Sequence, residues 1–479
     1  MSWIAFLLMV ILIQMLTILL LEYRMPSRAV AWIFILYMTP VIGALIYYFV
    51  AGKYTRRKTV RRKGPQLRAE MKQVWYEQIK SFKLTSSDIT DSLTAEPLPN
   101  RLGRLLESIP DSPITMRNRV RVLYNGAETY DSILAAMEEA QEHIHIEYYT
   151  IRSDHAGQRF IEMMKRKASQ GVEVRLLCDG VGSRQMKKGD ISALREAGVY
   201  VSFFLPPWIA LLDKRINYRN HRKVVVIDSR IGFVGGINIG DEYLGAHPKL
   251  GYWRDTHLKI EGDAVKSLQY IFLNDWLIST GEAVMRPAYF SHPAQKGSQS
   301  VQIIFSGPDT EWDTILEVYF SAISTARKYV WVTTPYFIPD PSILMALKTA
   351  ALSGVEVKII FPKIPDSVLV RWAALSYLEE LMQAGVKFYQ YTRGFVHSKC
   401  IVIDGSIAMV GTANMDMRSF FSNFEINAVL FDAATIRRLE SDFQGDLLDC
   451  EEVLYDRFVA RSFPDKIKEA VGRILSPLL

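Results

Sequence analysis

Two segments of this chain carry histidine, lysine and aspartate at one spacing. His221-Arg-Lys-Val-Val-Val-Ile-Asp228 is followed by Gly235-Gly-Ile-Asn238, and His397-Ser-Lys-Cys-Ile-Val-Ile-Asp404 by Gly411-Thr-Ala-Asn414, with every matched position 176 residues apart. Both read H-x-K-x4-D-x6-G-x-x-N, and a pair in register with shared glycine and asparagine is a strong signal. Such groups handle phosphorus. Two imidazoles can flank a tetrahedral phosphate while the ammonium groups of Lys223 and Lys399 and two asparagine amides hold its oxygens. That arrangement suits in-line displacement, with one ring attacking and the other protonating the leaving oxygen. The rings must then start in opposite protonation states, one neutral and one cationic.

Strand alternation accounts for the spacing. Residues i and i+2 of a strand share a face, so His221 projects with Lys223 and His397 with Lys399, while each Val/Ile run anchors its strand in the core. Each imidazole also needs a group to hold its second nitrogen. The candidates are Asp255, in Trp253-Arg-Asp-Thr, and Glu425, in Asn423-Phe-Glu-Ile, each on a predicted strand soon after a motif. Ordinary strand-end acids in surface salt bridges are the plainer alternative. Asp228 and Asp404 are expected to stabilise the motifs rather than react. Asn238 and Asn414 either bind phosphate or cap the next segment of chain.

The elements that carry these residues are also duplicated. The strand pattern Glu142–Ile151, a helical stretch and Gly171–Leu177 recur as Tyr329–Phe337, a helical stretch and Gly354–Ile360. These are two α/β units in the same order, each leading into a histidine segment. Polar Ser291–Ser300 is the best linker between them. Apolar, proline-broken Leu205–Leu212, just upstream of His221, is either core packing or a loop dipping into a bilayer. Val368–Met382, at the matching point of the second half, has the spacing of a core helix. Residues 65–110 read as a polar connector, helical or irregular, punctuated by prolines.

Composition separates the ends of the chain. Of 479 residues 49% are hydrophobic and 23% charged, which excludes disordered and fibrous classes and leaves room for two or three domains. Cys178, Cys400 and Cys450 form no C-x-x-C pair, arguing against a disulfide framework and a zinc site and for a reducing compartment. Residues 1–64 hold nine Lys/Arg against Glu22 alone, whereas the remainder holds 48 basic and 50 acidic residues, so the folded part is not a basic nucleic-acid reader. Trp3–Leu21 and Ala29–Val50 are apolar runs long enough to cross a bilayer, with Pro26 in the reversal between them. A cleaved signal peptide is the alternative for the first, disfavoured by its length and by the second run. The seven positive charges of Lys53–Lys63 predict a cytoplasmic location for the rest of the chain, and they favour anionic headgroups.

The duplicated motif resembles the signature of the phospholipase D superfamily, and the likeness is closest to its bacterial cardiolipin synthases. It runs along essentially the whole chain: the apolar runs, Tyr252–Gly262, Pro335-Tyr-Phe-Ile-Pro339, Asn414-Met-Asp-Met-Arg-Ser419 and the terminal Arg473-Ile-Leu-Ser-Pro-Leu-Leu479 all look like that family. The resemblance implies two tandem phospholipase D-like α/β domains in a pseudo-two-fold relation, at 111–290 and 301–479. A transmembrane hairpin with a basic juxtamembrane segment at 1–64 and a connector at 65–110 would precede them. It implies a multi-pass protein of the bacterial cell membrane that converts two phosphatidylglycerols to cardiolipin and glycerol, with His221 as nucleophile and His397 as general acid and then base. An acid near each motif is also usual in the superfamily. A phosphohistidine retains the energy of the phosphodiester, so no nucleotide, metal or other cofactor is expected. Gly235–Gly240 lacks the Lys and Ser/Thr of a phosphate loop. Two other functions stay open, a lipid-hydrolysing or nucleic-acid-hydrolysing member of the superfamily and a non-catalytic membrane scaffold. Near-neutral charge beyond residue 64 counts against the nuclease, and complete His, Lys and Asp sets against the scaffold.

Overall fold

The computed structural model describes residues 2–22, 26–50, 58–80, 100–206, 217–290, 297–310 and 312–479. In the first half the strands are β1 (Ile114–Tyr124), β2 (His143–Tyr148), β3 (Glu173–Asp179), β4 (Tyr200–Phe204), β5 (Val224–Ile227), β6 (Ile231–Gly235), β7 (Tyr252–Arg254) and β8 (Thr256–Gly262). The second half adds β9 (Gln299–Ser306), β10 (Tyr329–Thr333), β11 (Phe337–Ile338), β12 (Glu356–Pro362), β13 (Lys387–Tyr391), β14 (Gly394–Val396), β15 (Cys400–Ile403), β16 (Ile407–Gly411), β17 (Met415–Asp416), β18 (Glu425–Leu430) and β19 (Cys450–Glu452).

Fifteen of these form one sheet that runs through both halves. Its order is β4-β3-β2-β5-β6-β8-β1 followed by β9-β18-β16-β15-β10-β12-β13-β19. The halves meet edge to edge where β1 pairs antiparallel with β9, placing Ile114 opposite Gln302. Joining two sheets at an edge leaves neither inner edge unpaired. Parallel neighbours need a crossover. The helix His155–Ser169 joins β2 to β3, and Pro341–Leu352 joins β10 to β12. Both begin on an aspartate N-cap: Asp154 accepts from the Gly157 amide at 3.0 Å, and Asp340 from Ser342 at 2.8 Å. Val224–Ile227 is an unbroken apolar run because it is buried from both faces, and the helix Ala264–Thr280 is buried over nearly its whole length.

Three expectations change. Residues 65–110 are more than a connector. The helix Lys58–Lys80 sends Met71, Trp75 and Ile79 into a core cluster that spans both halves, with the Trp75 ring stacked on Tyr270 at 4.8 Å. The helix Asn100–Ser108 sends Leu102 and Leu106 into the second half's core. The apolar run Ala29–Val50 is two helices, Pro26–Met38 and Pro40–Val50, because Pro40 has no amide hydrogen to continue the first. The other run forms the helix Ser2–Leu21. Among the described residues no helix is long and apolar enough to cross a membrane. Thirdly, Val368–Met382 is two helices, Val368–Leu375 and Leu378–Gln383; Ala373, Leu378 and Leu381 are buried as expected, but Val368 is exposed.

At the other end of the chain, Phe463–Leu475 is a helix and Ser476–Leu478 a final turn, and Leu478 packs against the N-terminal cluster of Ile18, Trp32 and Leu36. Residues 207–212 of the apolar loop, 291–296 of the linker and 51–57 of the basic run lie outside the described residues.

Candidate active site

Two short parallel pairings cross between the halves and set the geometry of the site. β14 pairs with β7, placing Val396 beside Arg254, and the next residue on each side is His397 and Asp255. The His397 amide donates to the Arg254 carbonyl at 2.7 Å, and the ring Nδ1 lies 2.7 Å from Asp255 Oδ2. The same step recurs with the halves exchanged. Asn220 bridges Phe424, the His221 amide donates to the Phe424 carbonyl at 3.0 Å, and His221 Nδ1 lies 3.0 Å from both Glu425 oxygens. Each acid thus follows its own motif in sequence and serves the ring of the other half.

The histidines are not strand residues. His221–Lys223 and His397–Lys399 are three-residue links that carry the chain from these bridges into β5 and β15. The lysines turn beneath the rings and do not line the cavity: Lys223 Nζ donates to the His221 carbonyl at 2.7 Å and Lys399 Nζ to the His397 carbonyl at 2.5 Å. Burial draws the His221 ring down to about 4 and the His397 ring to about 3, with the nearby lysines adding to the effect and the facing acids opposing it. Burial also brings Lys223 down to about 7 and Lys399 to about 8. It pushes the Asp255 and Glu425 carboxyls up, but the facing imidazoles and the lysines outweigh it and hold both below their ordinary range. These shifts pair ionised carboxylates with neutral rings. An ionised carboxylate accepts from Nδ1–H and leaves Nε2 as the reactive nitrogen.

Asp228 and Asp404 stand apart from the rings and staple loops. Asp228 accepts from the amides of Gln141, Glu142 and His143 at 2.8–2.9 Å, and Asp404 from those of Arg327, Lys328 and Tyr329 at 2.7–2.9 Å. Each sits at positive φ, 50° and 54°, as tight-turn aspartates can. Asn238 and Asn414 both line the cavity. Asn238 Oδ1 accepts from the Thr150 amide at 3.2 Å, whereas Asn414 Oδ1 is buried with no hydrogen-bond partner among the described residues.

The cavity holds about 710 Å3, the size of a site for a small ligand or lipid headgroup. His221 and His397 open into it together with Tyr149, Trp253, Phe395, Arg184, Arg219 and Arg418, and the last two residues, Leu478 and Leu479, close one wall. Sequence reasoning had assigned none of these aromatic, arginine and leucine side chains. Trp253 and Arg418 lie within segments that carry the family resemblance, and Arg219 stands two residues before His221. Also missed was Thr412, whose hydroxyl donates to Glu425. Its counterpart Gly236 has no side chain because a Cβ there would lie 2.1 Å from Asp255 Oδ1. The near miss for a phosphate loop is thus a packing requirement of the orienting acid. Among the described residues no group of three or more His, Cys, Asp or Glu side chains is arranged to hold a metal ion.

Comparison with known proteins gives the fold and motif a lineage. A family model described as cardiolipin synthase, phospholipase D-like domain, matches residues 133–276 and 319–447. The chain is 44% identical over 461 residues to a cardiolipin synthase of Geobacillus kaustophilus, covering 96% of this chain and 90% of that one. It is 39% identical over 460 residues to the major cardiolipin synthase of Bacillus subtilis, covering 96% and 95%. Among solved structures, the phosphatidylserine synthase of Haemophilus influenzae superimposes with a TM-score of 0.59 at 16% identity, over 79% of this chain and 100% of that one, which shows a shared fold. With the duplicated motif, the cavity shared by both histidines and relatives matched almost end to end, the chain belongs to the cardiolipin synthase family of phospholipase D-like proteins.

Proposed function

We propose that this protein transfers a phosphatidyl group from one phosphatidylglycerol to the glycerol hydroxyl of another, giving cardiolipin and free glycerol. The observation that carries the reading is the crossed pair of orienting contacts, Asp255 on His397 and Glu425 on His221, which fixes two imidazoles on one cavity. In the first step His221 Nε2 attacks the donor phosphorus. The bond from phosphorus to the glycerol oxygen breaks, and His397 gives that oxygen a proton. In the second step His397 takes the proton of the acceptor hydroxyl, whose oxygen attacks phosphorus and releases His221. Burial favours the neutral form of both rings, so the negative charge of the bound phosphodiester is what lets one of them hold a second proton. Lys223 and Lys399 offset that charge from beneath. Asn238 and Asn414 are the amides available to its oxygens. Asp228 and Asp404 act through the loops they staple.

The reading extends to organisation and location. Residues 111–290 and 301–479 are the two phospholipase D-like domains, after a membrane hairpin at 1–64 that keeps them at the cytoplasmic face. Support comes from the exposed apolar side chains Leu12, Leu16 and Leu20 on the first helix and Val41, Ile42 and Leu45 on the third, and from the basic run after them. The test is to incubate the purified full-length protein in phosphatidylglycerol vesicles with chelator and without nucleotide. Cardiolipin and glycerol should appear in equal amounts, and added glycerol should reverse the reaction. Phosphatidic acid as the main product would assign a hydrolase instead.

A further inference from the structure

The cavity is not symmetric. Strand registers align His143 with Tyr329 and Glu173 with Glu356, so Arg152 matches Ile338 and Arg184 matches Ser367. The motif spacing matches Arg219 with Phe395. All six line the cavity, so one flank presents three guanidinium groups where the other presents isoleucine, serine and phenylalanine. In the reverse sense, Arg418 of the second half matches Glu242 of the first.

These arginines differ in what already engages them. Arg152 pairs with Glu242 at 2.6 Å, and Arg219 with Asp179 at 3.4 Å and the Leu205 carbonyl at 3.3 Å. Arg184 is exposed and has no ion-pair partner among the described residues. Arg418 donates from Nη2 to the Asn217 carbonyl at 3.2 Å, and its Nε is buried with no hydrogen-bond partner among the described residues. Both line the cavity with Tyr149. Its ring meets His221 edge-on at 5.0 Å and covers Lys223 Nζ at 5.5 Å. Burial and Asp179 raise the Tyr149 hydroxyl above its ordinary range, and the positive charges of Arg418, Arg219 and Arg184 oppose them. Asp416 and Asp366 share the cavity, and burial pushes Asp416 up to about 6, which weakens its claim on Arg418.

We infer that Arg184 and Arg418 form a second anion subsite, in the cavity that the histidine pair shares, that takes the phosphodiester of the acceptor lipid. The inference rests on the proposed phosphatidyl transfer. Its chemical reason is that the two half-reactions differ in phosphate count. Donor cleavage brings one phosphodiester to the rings. Acceptor attack brings another, attached to the far end of the glycerol whose hydroxyl reacts, and two like charges a glycerol apart need cations beyond the two buried lysines. Free glycerol carries no phosphate and makes no use of such a subsite.

The phosphatidyl-enzyme therefore partitions between two acceptors, and the partition is the measurement. Full-length protein in phosphatidylglycerol vesicles with isotopically labelled glycerol reports cardiolipin formation and label exchange into phosphatidylglycerol from one sample. Arg184→Gln, Arg418→Gln and the double variant should each lower the ratio of cardiolipin to exchange, about tenfold for a single charge-assisted contact and further for the pair. Arg184→Lys, which keeps the charge, should restore part of it. Arg184 is exposed, so its variants test the subsite without risk to folding. An unchanged ratio in the double variant would overturn the subsite, whether both reactions persist or fall together. Absence of both products in the unsubstituted protein would instead overturn phosphatidyl transfer itself.

Discussion

Asp255 Oδ2 lies 2.7 Å from His397 Nδ1 although 142 residues separate them, and Glu425 holds His221 in the same way across 204. The crossing makes each ring's orientation a property of the other half, and it divides the effects of substitution accordingly. Asp255→Asn should impair His397, the proposed acid, and Glu425→Gln should impair His221, the proposed nucleophile, each by about 10²–10⁴-fold in kcat. A p-nitrophenyl phosphodiester, whose leaving group needs no proton, should restore the first half-reaction to Asp255→Asn and not to Glu425→Gln. Rescue of Glu425→Gln and not of Asp255→Asn would mean that the two rings exchange roles.

The two histidines should fail differently. His221→Ala cannot form the covalent intermediate and should be inactive with every donor. His397→Ala should still be phosphatidylated by an activated donor and should then accumulate the adduct, because nothing activates the acceptor. Acid-quenched mass spectrometry reads this directly. An adduct on His397 in His221→Ala, with none on His221 in His397→Ala, would reverse the roles.

Lysine titration should shape the alkaline side of the pH profile. Burial lowers Lys223 to about 7 and Lys399 to about 8, so their positive charge is lost as pH rises through that window and kcat/KM should fall there. A bound phosphodiester favours the charged forms, so the corresponding limb in kcat should lie at higher pH. Stability carries the opposite sign. Between the lowered values and the ordinary lysine value near 10.5, the unfolded chain binds protons that the native chain does not, so the lysines' effect on stability improves as pH rises. Lys223→Met should therefore abolish activity and raise the Tm of lipid-free protein more at pH 6.5 than at pH 9, as followed by calorimetry.

Asp228 and Asp404 should show themselves in stability. Each carboxylate accepts three backbone amides across a turn. Replacement by alanine leaves those donors without their partner and should cost about 2–4 kcal/mol in urea unfolding, with kcat retained within severalfold at temperatures where the variant is folded. A loss of kcat comparable with that of His397→Ala, at unchanged stability, would place these acids in the chemistry.

The sequence alone determined the chemistry and its duplication. Two H-x-K-x4-D segments in register single out the histidine pair proposed to react, because reactivity follows residue type, and the Val/Ile runs beside them specify buried strands, because hydrophobic periodicity is local. It also marked Asp255 and Glu425 as the acids to watch. Their partners were decided by the tertiary structure. The pairing of β7 with β14, and of Asn220 with Phe424, joins segments far apart in the chain, and no spacing within either half encodes it. The same holds for the depth of Lys223 and Lys399, which i, i+2 alternation placed on the reacting face. Three-residue links outside the strands instead let them turn beneath it, where burial sets their charge. The arginines of the cavity were visible as residues but not as a group. Arg184, Arg219 and Arg418 become neighbours only when the two halves close one cavity, since electrostatic fields depend on distance in space and not on separation along the chain.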